Sequence, residues 1–309
     1  MKILGIGNAI VDVLCKVDED FITQNNLTKS TMKLFFDENE FTNLLTNLKI
    51  EKTVSGGSVA NSIVGLSQLG NEVGFIGKIS DDNFGNKYEE GLKNEKVGYF
   101  YNKKIEELPT GTCLILVTPD SERTMCTYLG TAGKINGNDI DTNIVQKAEI
   151  TFLEGYLWDE GEPKKAFDKA ILNSNKVAMS LSDLFCVERH KDNFLNLVKN
   201  RLDIIFSNEQ EILSLINSKS FSDVISFSKE LNKHVVITRG SKGAVAIKDH
   251  KVYECEAMKN LNIVDLTGAG DLFAAGYLHG VINKMNISES LKIGTKLSSK
   301  IIQKIGARI

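Results

Sequence analysis

From about residue 150 onward, short apolar runs alternate with segments of helical character, and no other feature restricts the fold as much. The runs are Ile150-Thr151-Phe152-Leu153, Val177-Ala178-Met179-Ser180-Leu181, Leu202-Asp203-Ile204-Ile205-Phe206 and His234-Val235-Val236-Ile237-Thr238. Such alternation builds βαβ units and a mostly parallel sheet. Ligands of open α/β sheets bind beyond the carboxyl ends of the strands. Those ends read Glu154-Gly155-Tyr156, Ser182-Asp183, Ser207-Asn208-Glu209-Gln210-Glu211 and Arg239-Gly240, so polar residues gather on one rim.

The earlier part differs. Gly5 to Val17, Lys29 to Phe36 and Lys96 to Val117 are extended runs with turn signals, separated by the helix-like stretch Val59 to Leu69. They predict a small second sheet, from segments within about 8–50 and 96–130, that projects as a lid or a dimer surface. With three prolines, no Gly/Ser-rich linker and no internal repeat, the chain is expected to form one domain over residues 1–309 with that lid inserted.

Composition narrows the function. The 37 basic and 40 acidic residues are interspersed, giving a net charge of -3, so no basic stripe exists to neutralise nucleic-acid phosphates. No stretch approaches the roughly 20 apolar residues of a membrane span, and the first residues lack a cleavable signal pattern. A cytoplasmic location with neither nucleic-acid nor membrane partner is expected. The five cysteines are scattered and the four histidines lack ligand spacing, so reduced structural thiols and no His/Cys metal site are expected.

The chemistry concentrates in Asp265-Leu266-Thr267-Gly268-Ala269-Gly270-Asp271, just before the apolar run Leu272 to Tyr277. Small residues at 268–270 let backbone approach a ligand, and the free N–H groups of a helix's first turn attract an anion. Asp271 beside them could accept a hydroxyl proton as oxygen attacks phosphorus. The same residues could also form only a capped, tight helix start. A P-loop is absent, since Gly74-Phe75-Ile76-Gly77-Lys78 has the wrong spacing. The dinucleotide fingerprint at Gly5-Ile6-Gly7 lacks its third glycine, position 10 being Ile.

Further motifs each carry two readings. Gly56-Gly57 leading into a helix with Asn61 could bring amides and a side-chain amide to ligand hydroxyls, or only shape the turn. Asn8, Ile10 and Asp12 share one side of a strand, offering polar groups to a hydroxyl unless that strand is a solvated edge. Asn208 and Glu211 could organise Mg²⁺ near phosphates, Glu211 through water, or compensate a helix dipole. Thr238-Arg239-Gly240-Ser241-Lys242-Gly243 is a hairpin, or a turn whose backbone borders a nucleotide.

Taken together and in this order, these motifs resemble the ribokinase-like, or PfkB, family of carbohydrate and nucleoside kinases over nearly the whole chain. Gly7 to Asp12, Pro109 to Cys113 and Glu122 to Met125 look like its adenosine kinase branch. The resemblance implies a Rossmann-like three-layer α/β/α domain with a mostly parallel sheet and a small β lid. It implies transfer of the ATP γ-phosphate to a hydroxyl, with Asp271 as base and Gly268, Ala269 and Gly270 as anion hole. Arg123 would assist the phosphates or pair with the catalytic region. Asn8, Ile10, Asp12, Gly56, Gly57 and Asn61 would hold the substrate, and Asn208, Thr238, Arg239, Gly240, Gly243 and Thr267 would line the ATP site. Glu211 and Asn208 would serve Mg²⁺, and Asp265 with Thr267 a monovalent cation such as K⁺. Leu266 departs from the family's usual Thr there, which weakens the cation assignment.

Tyr156, Leu157, Phe185 and Phe36 are candidate walls for a flat base, which gains from stacking and burial. The expected activity is therefore phosphorylation of the 5′-hydroxyl of adenosine, by a monomer or a homodimer formed through the lid. The rival expectations are a sugar kinase of ribokinase or fructokinase type and a catalytically silent ligand-binding protein.

Overall fold

The computed structural model describes residues 1–120 and 122–309. Its strands are β1 (Ile3–Ile6), β2 (Ile10–Lys16), β3 (Met32–Phe35), β4 (Ile50–Ser55), β5 (Val73–Ile76), β6 (Gly98–Tyr99), β7 (Gly111–Val117), β8 (Arg123–Tyr128), β9 (Ile150–Glu154), β10 (Val177–Ser180), β11 (Ile204–Asn208), β12 (His234–Thr238), β13 (Ala244–Lys248) and β14 (Lys251–Cys255). The helices are α1 (Glu19–Gln24), α2 (Glu38–Thr46), α3 (Ser58–Gln68), α4 (Asn83–Asn94), α5 (Thr142–Lys147), α6 (Glu162–Asn173), α7 (Leu184–Arg189), α8 (Lys191–Asn200), α9 (Glu209–Leu215), α10 (Phe221–Leu231), α11 (Ala269–Ile282) and α12 (Ile287–Ile301).

The large sheet runs in the order β14-β13-β12-β11-β10-β9-β1-β5-β6. It is parallel from β12 to β6 and ends in the antiparallel pairs β12–β13 and β13–β14. Its central strands read as continuous apolar runs because both faces are covered. Ile3, Phe152, Ala178, Phe206 and Val236 pack on one face with Val59 and Ile63 of α3, Phe273 of α11 and Leu291 of α12. Leu4, Leu153, Met179, Ile205 and Val235 pack on the other with Phe167 of α6, Phe194 of α8, Ile212 of α9 and Val224 of α10. The period-two alternation of strand side chains produces these two apolar layers and hence the three-layer α/β/α order.

Helix α11 is apolar almost all round because it lies inside the molecule. Its close approach to α12 requires glycine: a Cβ on Gly276 would lie 2.8 Å from the Gly294 backbone. Packing between α3 and α12 fixes the start of α11, where the DLTGAGD motif lies.

The second sheet has the order β3-β8-β7-β2-β4. One face buries Val11, Val13, Cys15, Leu114, Leu116 and Cys126 with Phe41 and Leu44 of α2. The opposite face gathers Ile10, Cys113 and Ile115 with Leu14, Met125 and Leu129. Two boundaries differ from expectation. Strand β4 carries the small sheet on to Ser55, and β6, inside the expected lid segment, instead pairs with β5 of the large sheet. Among the described residues no helix is long and apolar enough to cross a membrane, and the five cysteines are free thiols, four of them buried.

Candidate active site

Gly268 precedes α11 at φ 77°, a left-handed conformation suited to glycine, and a Cβ there would lie 2.7 Å from the Ala307 Cα. No side chain caps the helix, and the amides of Gly270 and Asp271 have no backbone acceptor. These are the orphan donors of a helix N-terminus, open to an anion. A Cβ on Gly270 would meet nothing within 4 Å, and Gly270 lines the cavity described below.

Asp271 faces α3 rather than its own helix. Its Oδ1 accepts from the Ser58 hydroxyl at 2.6 Å and its Oδ2 from the Asn61 amide at 3.0 Å, while the Ser62 hydroxyl donates to its backbone carbonyl at 2.9 Å. Burial pushes the Asp271 pKa up to about 6, against the lowering effect of the Ser58 and Asn61 hydrogen bonds and the Arg308 charge. The carboxylate is thereby poised near neutrality, as a proton acceptor requires.

The glycines of the β4–α3 turn serve this site. A Cβ on Gly56 would lie 2.4 Å from the Asp12 carboxylate, and one on Gly57, at φ 97°, would lie 2.2 Å from the Asn8 carbonyl. Asp12 thus rests directly on the turn. It accepts no hydrogen bond from another described side chain or amide, and burial raises its pKa to about 7, with Arg308 opposing and Asp271 reinforcing the rise. The buried side-chain oxygen of Asn8 also lacks a partner. Unsatisfied acceptors at a cavity wall are suited to ligand hydroxyls.

Beneath them lies Glu154, 1% exposed, at the carboxyl end of β9. It accepts from the amides of Asn8 at 3.2 Å and Val59 at 2.9 Å, tying the β1–β2 turn to α3. Burial raises its pKa to about 7 despite those bonds. Gly7 makes room for it, since a Cβ there would lie 2.5 Å from Glu154 Oε2, and Gly5 lets α3 approach through Ile63. The first two glycines of the incomplete dinucleotide fingerprint are explained by this packing.

A cavity of about 740 Å³ opens above these residues. Its wall brings together Asn8, Ile10, Asp12, Gly57, Asn61, Tyr156, Leu157, Asn208, Glu211, Thr238, Thr267 and Gly268 to Asp271. Phe185 also borders it, whereas Phe36 is 85% exposed and does not. Gly56 lies one layer behind, under Asp12.

Several expected residues are engaged elsewhere. Arg123 pairs with Asp265, linking the small sheet to the DLTGAGD loop. Asp265 also accepts from the Thr267 amide at 3.0 Å and hydroxyl at 2.7 Å, and from the Gly306 amide at 2.7 Å. Burial alone would raise its pKa, but these donors hold it below the usual value. With both oxygens so occupied, Asp265 is not arranged as a ligand for a monovalent cation, and the K⁺ expectation loses its carboxylate. Arg239 grips Glu209 through Nε at 3.2 Å and Nη2 at 3.1 Å and lies 3.6 Å over the Phe221 ring. Gly240 and Gly243 shape the β12–β13 hairpin, and a Cβ on Gly243 would lie 2.0 Å from the Cys255 carbonyl. None of these three borders the cavity.

Asn208 and Glu211 form a reciprocal capping box on α9. The Asn208 side chain accepts from the Glu211 amide at 2.9 Å, and Glu211 accepts from the Asn208 amide at 2.9 Å and side chain at 2.5 Å. Burial raises the Glu211 pKa to about 7. Among the described residues no three His, Cys, Asp or Glu side chains converge to cage a metal.

Sequence reading did not assign roles to Glu154, Ser58, Arg308 or the apolar wall of Met32, Leu34, Cys113, Ile115, Met125 and Leu129. Glu154 carried a usable signal, an acid ending a buried parallel strand. Arg308 carried none, because its Nε reaches Asn61 Oδ1, at 3.2 Å, across 247 positions of sequence.

The family described as pfkB family carbohydrate kinase matches residues 27–309. Adenosine kinase 2 of Arabidopsis thaliana is 26% identical, covering 98% of this chain and 94% of its own. The 5-dehydro-2-deoxygluconokinase of Mesomycoplasma hyopneumoniae is 25% identical, covering 93% of this chain and 88% of its own. The crystal structure of adenosine kinase from Sinorhizobium meliloti superposes with a TM-score of 0.89 at 32% identity, covering 100% of this chain and 95% of that one. With this match, the ribokinase-like fold and the half-buried carboxylate beside an open helix N-terminus, the chain belongs to the pfkB family of carbohydrate and nucleoside kinases, phosphotransferases that act on hydroxyl groups.

Proposed function

We propose that this kinase transfers the γ-phosphoryl group of ATP to the 5′-hydroxyl of adenosine. The observation that carries this reading is the division of the cavity wall. Polar Asn8, Asp12, Asn61 and Asp271 share it with an apolar set from the small sheet and the turn after β8, namely Met32, Leu34, Ile115, Met125 and Leu129. A sugar alone would leave that apolar surface unmatched, whereas a nucleoside presents hydroxyls to one end and a flat base to the other. Tyr156 and Phe185 add aromatic surface to the same wall.

In this reading Asp12 and Asn8 accept from ribose hydroxyls. Asp271 takes the proton of the attacking hydroxyl, and Ser58 and Asn61 hold its carboxylate in place. The amides at the start of α11 stabilise charge on the transferring phosphoryl group. Thr238, Thr267 and Asn208 border the cavity on the side assigned to ATP. Mg²⁺ bound by ATP would neutralise phosphate charge. It usually keeps several waters, and Asn208 with Glu211 would hold it through such waters, which suits a site without a protein cage. K⁺ has no comparable support here.

Product formation from ATP and Mg²⁺ is measured with adenosine, inosine, ribose, fructose and 5-dehydro-2-deoxygluconate in parallel. Adenosine is expected to give the highest kcat/KM. A preference for any free sugar or sugar acid would overturn the acceptor while leaving the phosphotransfer.

A further inference from the structure

We propose that Arg308 is a positioning residue for the reacting carboxylate, fixing the Asn61 side-chain amide so that its NH₂ group is aimed at Asp271. An asparagine amide has two ends of similar shape, and only its partners decide which way it points. The guanidinium of Arg308 has donors and no acceptor, so its Nε, 3.2 Å from Asn61 Oδ1, selects the carbonyl end. The NH₂ end then lies 3.0 Å from Asp271 Oδ2. The reverse orientation would set NH₂ against guanidinium donors and a carbonyl against the carboxylate, two repulsions in place of two bonds.

Arg308 is itself held by the structure that forms the anion site. The Gly306 amide donates to Asp265 at 2.7 Å, and Ala307 packs on the left-handed Gly268 so closely that no Cβ fits between them. One short segment therefore touches the DLTGAGD loop, the first residue of the anion turn and, through Asn61, Asp271. The Nη2 of Arg308 is buried without an acceptor. A residue retained only for packing would not need such an unsatisfied charge. The other charged and titratable groups whose fields reach Arg308 are Asp12 on β2, Asp271 on α11, and Tyr88 and Glu95 on and just after α4. Its charge lowers the pKa of both aspartates.

The inference rests on Asp271 being the proton acceptor. The test compares kcat at saturating ATP, Mg²⁺ and adenosine from pH 5 to 9 for the wild type, Arg308→Met, Arg308→Lys, Asn61→Ala, the Arg308→Met/Asn61→Ala double variant and Asp271→Asn. Arg308→Met is expected to lose about tenfold in kcat and to move the acid limb to higher pH. The double variant is expected to be no slower than Asn61→Ala alone, because both changes act through one amide. Additive losses, or a wild-type kcat and pH profile in Arg308→Met, overturn the proposal. If Arg308→Met does not fold, Arg308→Lys decides, since it keeps the charge but not the planar fork. A reduced kcat with unchanged melting temperature supports the proposal, and a wild-type kcat at every pH overturns it. Full activity in Asp271→Asn would remove the reading of Asp271 independently of any result at Arg308.

Discussion

The helix starts of α9 and α11 both bring a first-turn acid to the cavity wall, and they use it in opposite ways. At α9, Glu211 folds back on Asn208, and the two side chains satisfy each other and the local amides. At α11, Asp271 turns outward to Ser58 and Asn61 of another helix and leaves the first-turn amides open. Glu211 is buried and Asp271 half-buried, and both pKa values are raised, to about 7 for Glu211 and about 6 for Asp271. A perturbed pKa does not separate them. What separates them is whether the helix's own cap already occupies the carboxylate and the amides. An acid held by a distant element, next to unoccupied donors, is arranged for an external ligand.

The sharpest way to break this comparison is Asp271→Asn. It removes the proposed proton acceptor and keeps the shape, so kcat should fall by about 10²–10⁴ while ATP binding and melting temperature stay near wild type. A loss of less than tenfold would place Asp271 with Glu211, as a structural acid.

The glycines come next. Gly268→Ala forces a side chain into a left-handed backbone against Ala307, and should cost about 1–3 kcal/mol of stability and most of the activity. Gly270→Ala meets nothing in the folded chain and should leave the melting temperature unchanged or slightly higher. Its kcat should nevertheless fall, because Gly270 borders the cavity at the proposed phosphoryl site. Gly270→Ala with wild-type kcat would move the anion site elsewhere.

The pH dependence tests the same carboxylate. Its pKa is about 6, raised above the ordinary 3.8, and it acts only when ionised. The rate should therefore be level near neutrality and fall on acidification through about pH 6, approaching tenfold per unit. Stability takes the other sign. The raised pKa favours the protonated folded state, a contribution complete below pH 3.8 and lost as pH rises through about 6. An acid limb centred near pH 4 would mean that Asp271 is not held as described.

The contrast also marks how far sequence alone reached. The large sheet was legible because strands buried on both faces read as continuous apolar runs and because βαβ returns are local. The open helix start at Gly268 to Asp271 was legible because such a turn is built from consecutive residues. The acids opening α9 were legible as helix-start residues for the same reason, but their reciprocal cap with Asn208 was not read from the sequence. Three features were not. Long-range ties such as Arg308 to Asn61, 247 positions apart, leave no trace in local pattern, and the pairing of Arg123 with the catalytic region was available only through the family resemblance. The apolar wall of the small sheet could not be told from core, because its strands alternate as any half-buried strand does. The Thr238 to Gly243 turn was open to a hairpin or a nucleotide border and the resemblance assigned it to ATP, yet glycine at 243 is required by the Cys255 carbonyl beside it.

The smallest expected effect lies at Glu211. If its role is the cap alone, Glu211→Gln should change kcat less than about threefold, since Gln also serves at this position of a capping box. The stability difference should depend on pH. The Glu211 pKa rises from 4.5 to about 7 on folding, so wild-type stability attributable to this group is full below pH 4.5 and lost as pH rises through about 7. Gln cannot ionise and has no such slope. The variant should therefore gain relative to wild type between pH 5 and pH 8. The shift itself sets an upper limit of about 3 kcal/mol, and water in the adjoining cavity raises the local dielectric, so a gain on the order of 1 kcal/mol is expected. If Glu211 instead holds Mg²⁺ through water, the variant should need several-fold more Mg²⁺ for half-maximal rate. That outcome would show a capping acid serving phosphate chemistry as well, and the distinction between the two helix starts would become one of degree.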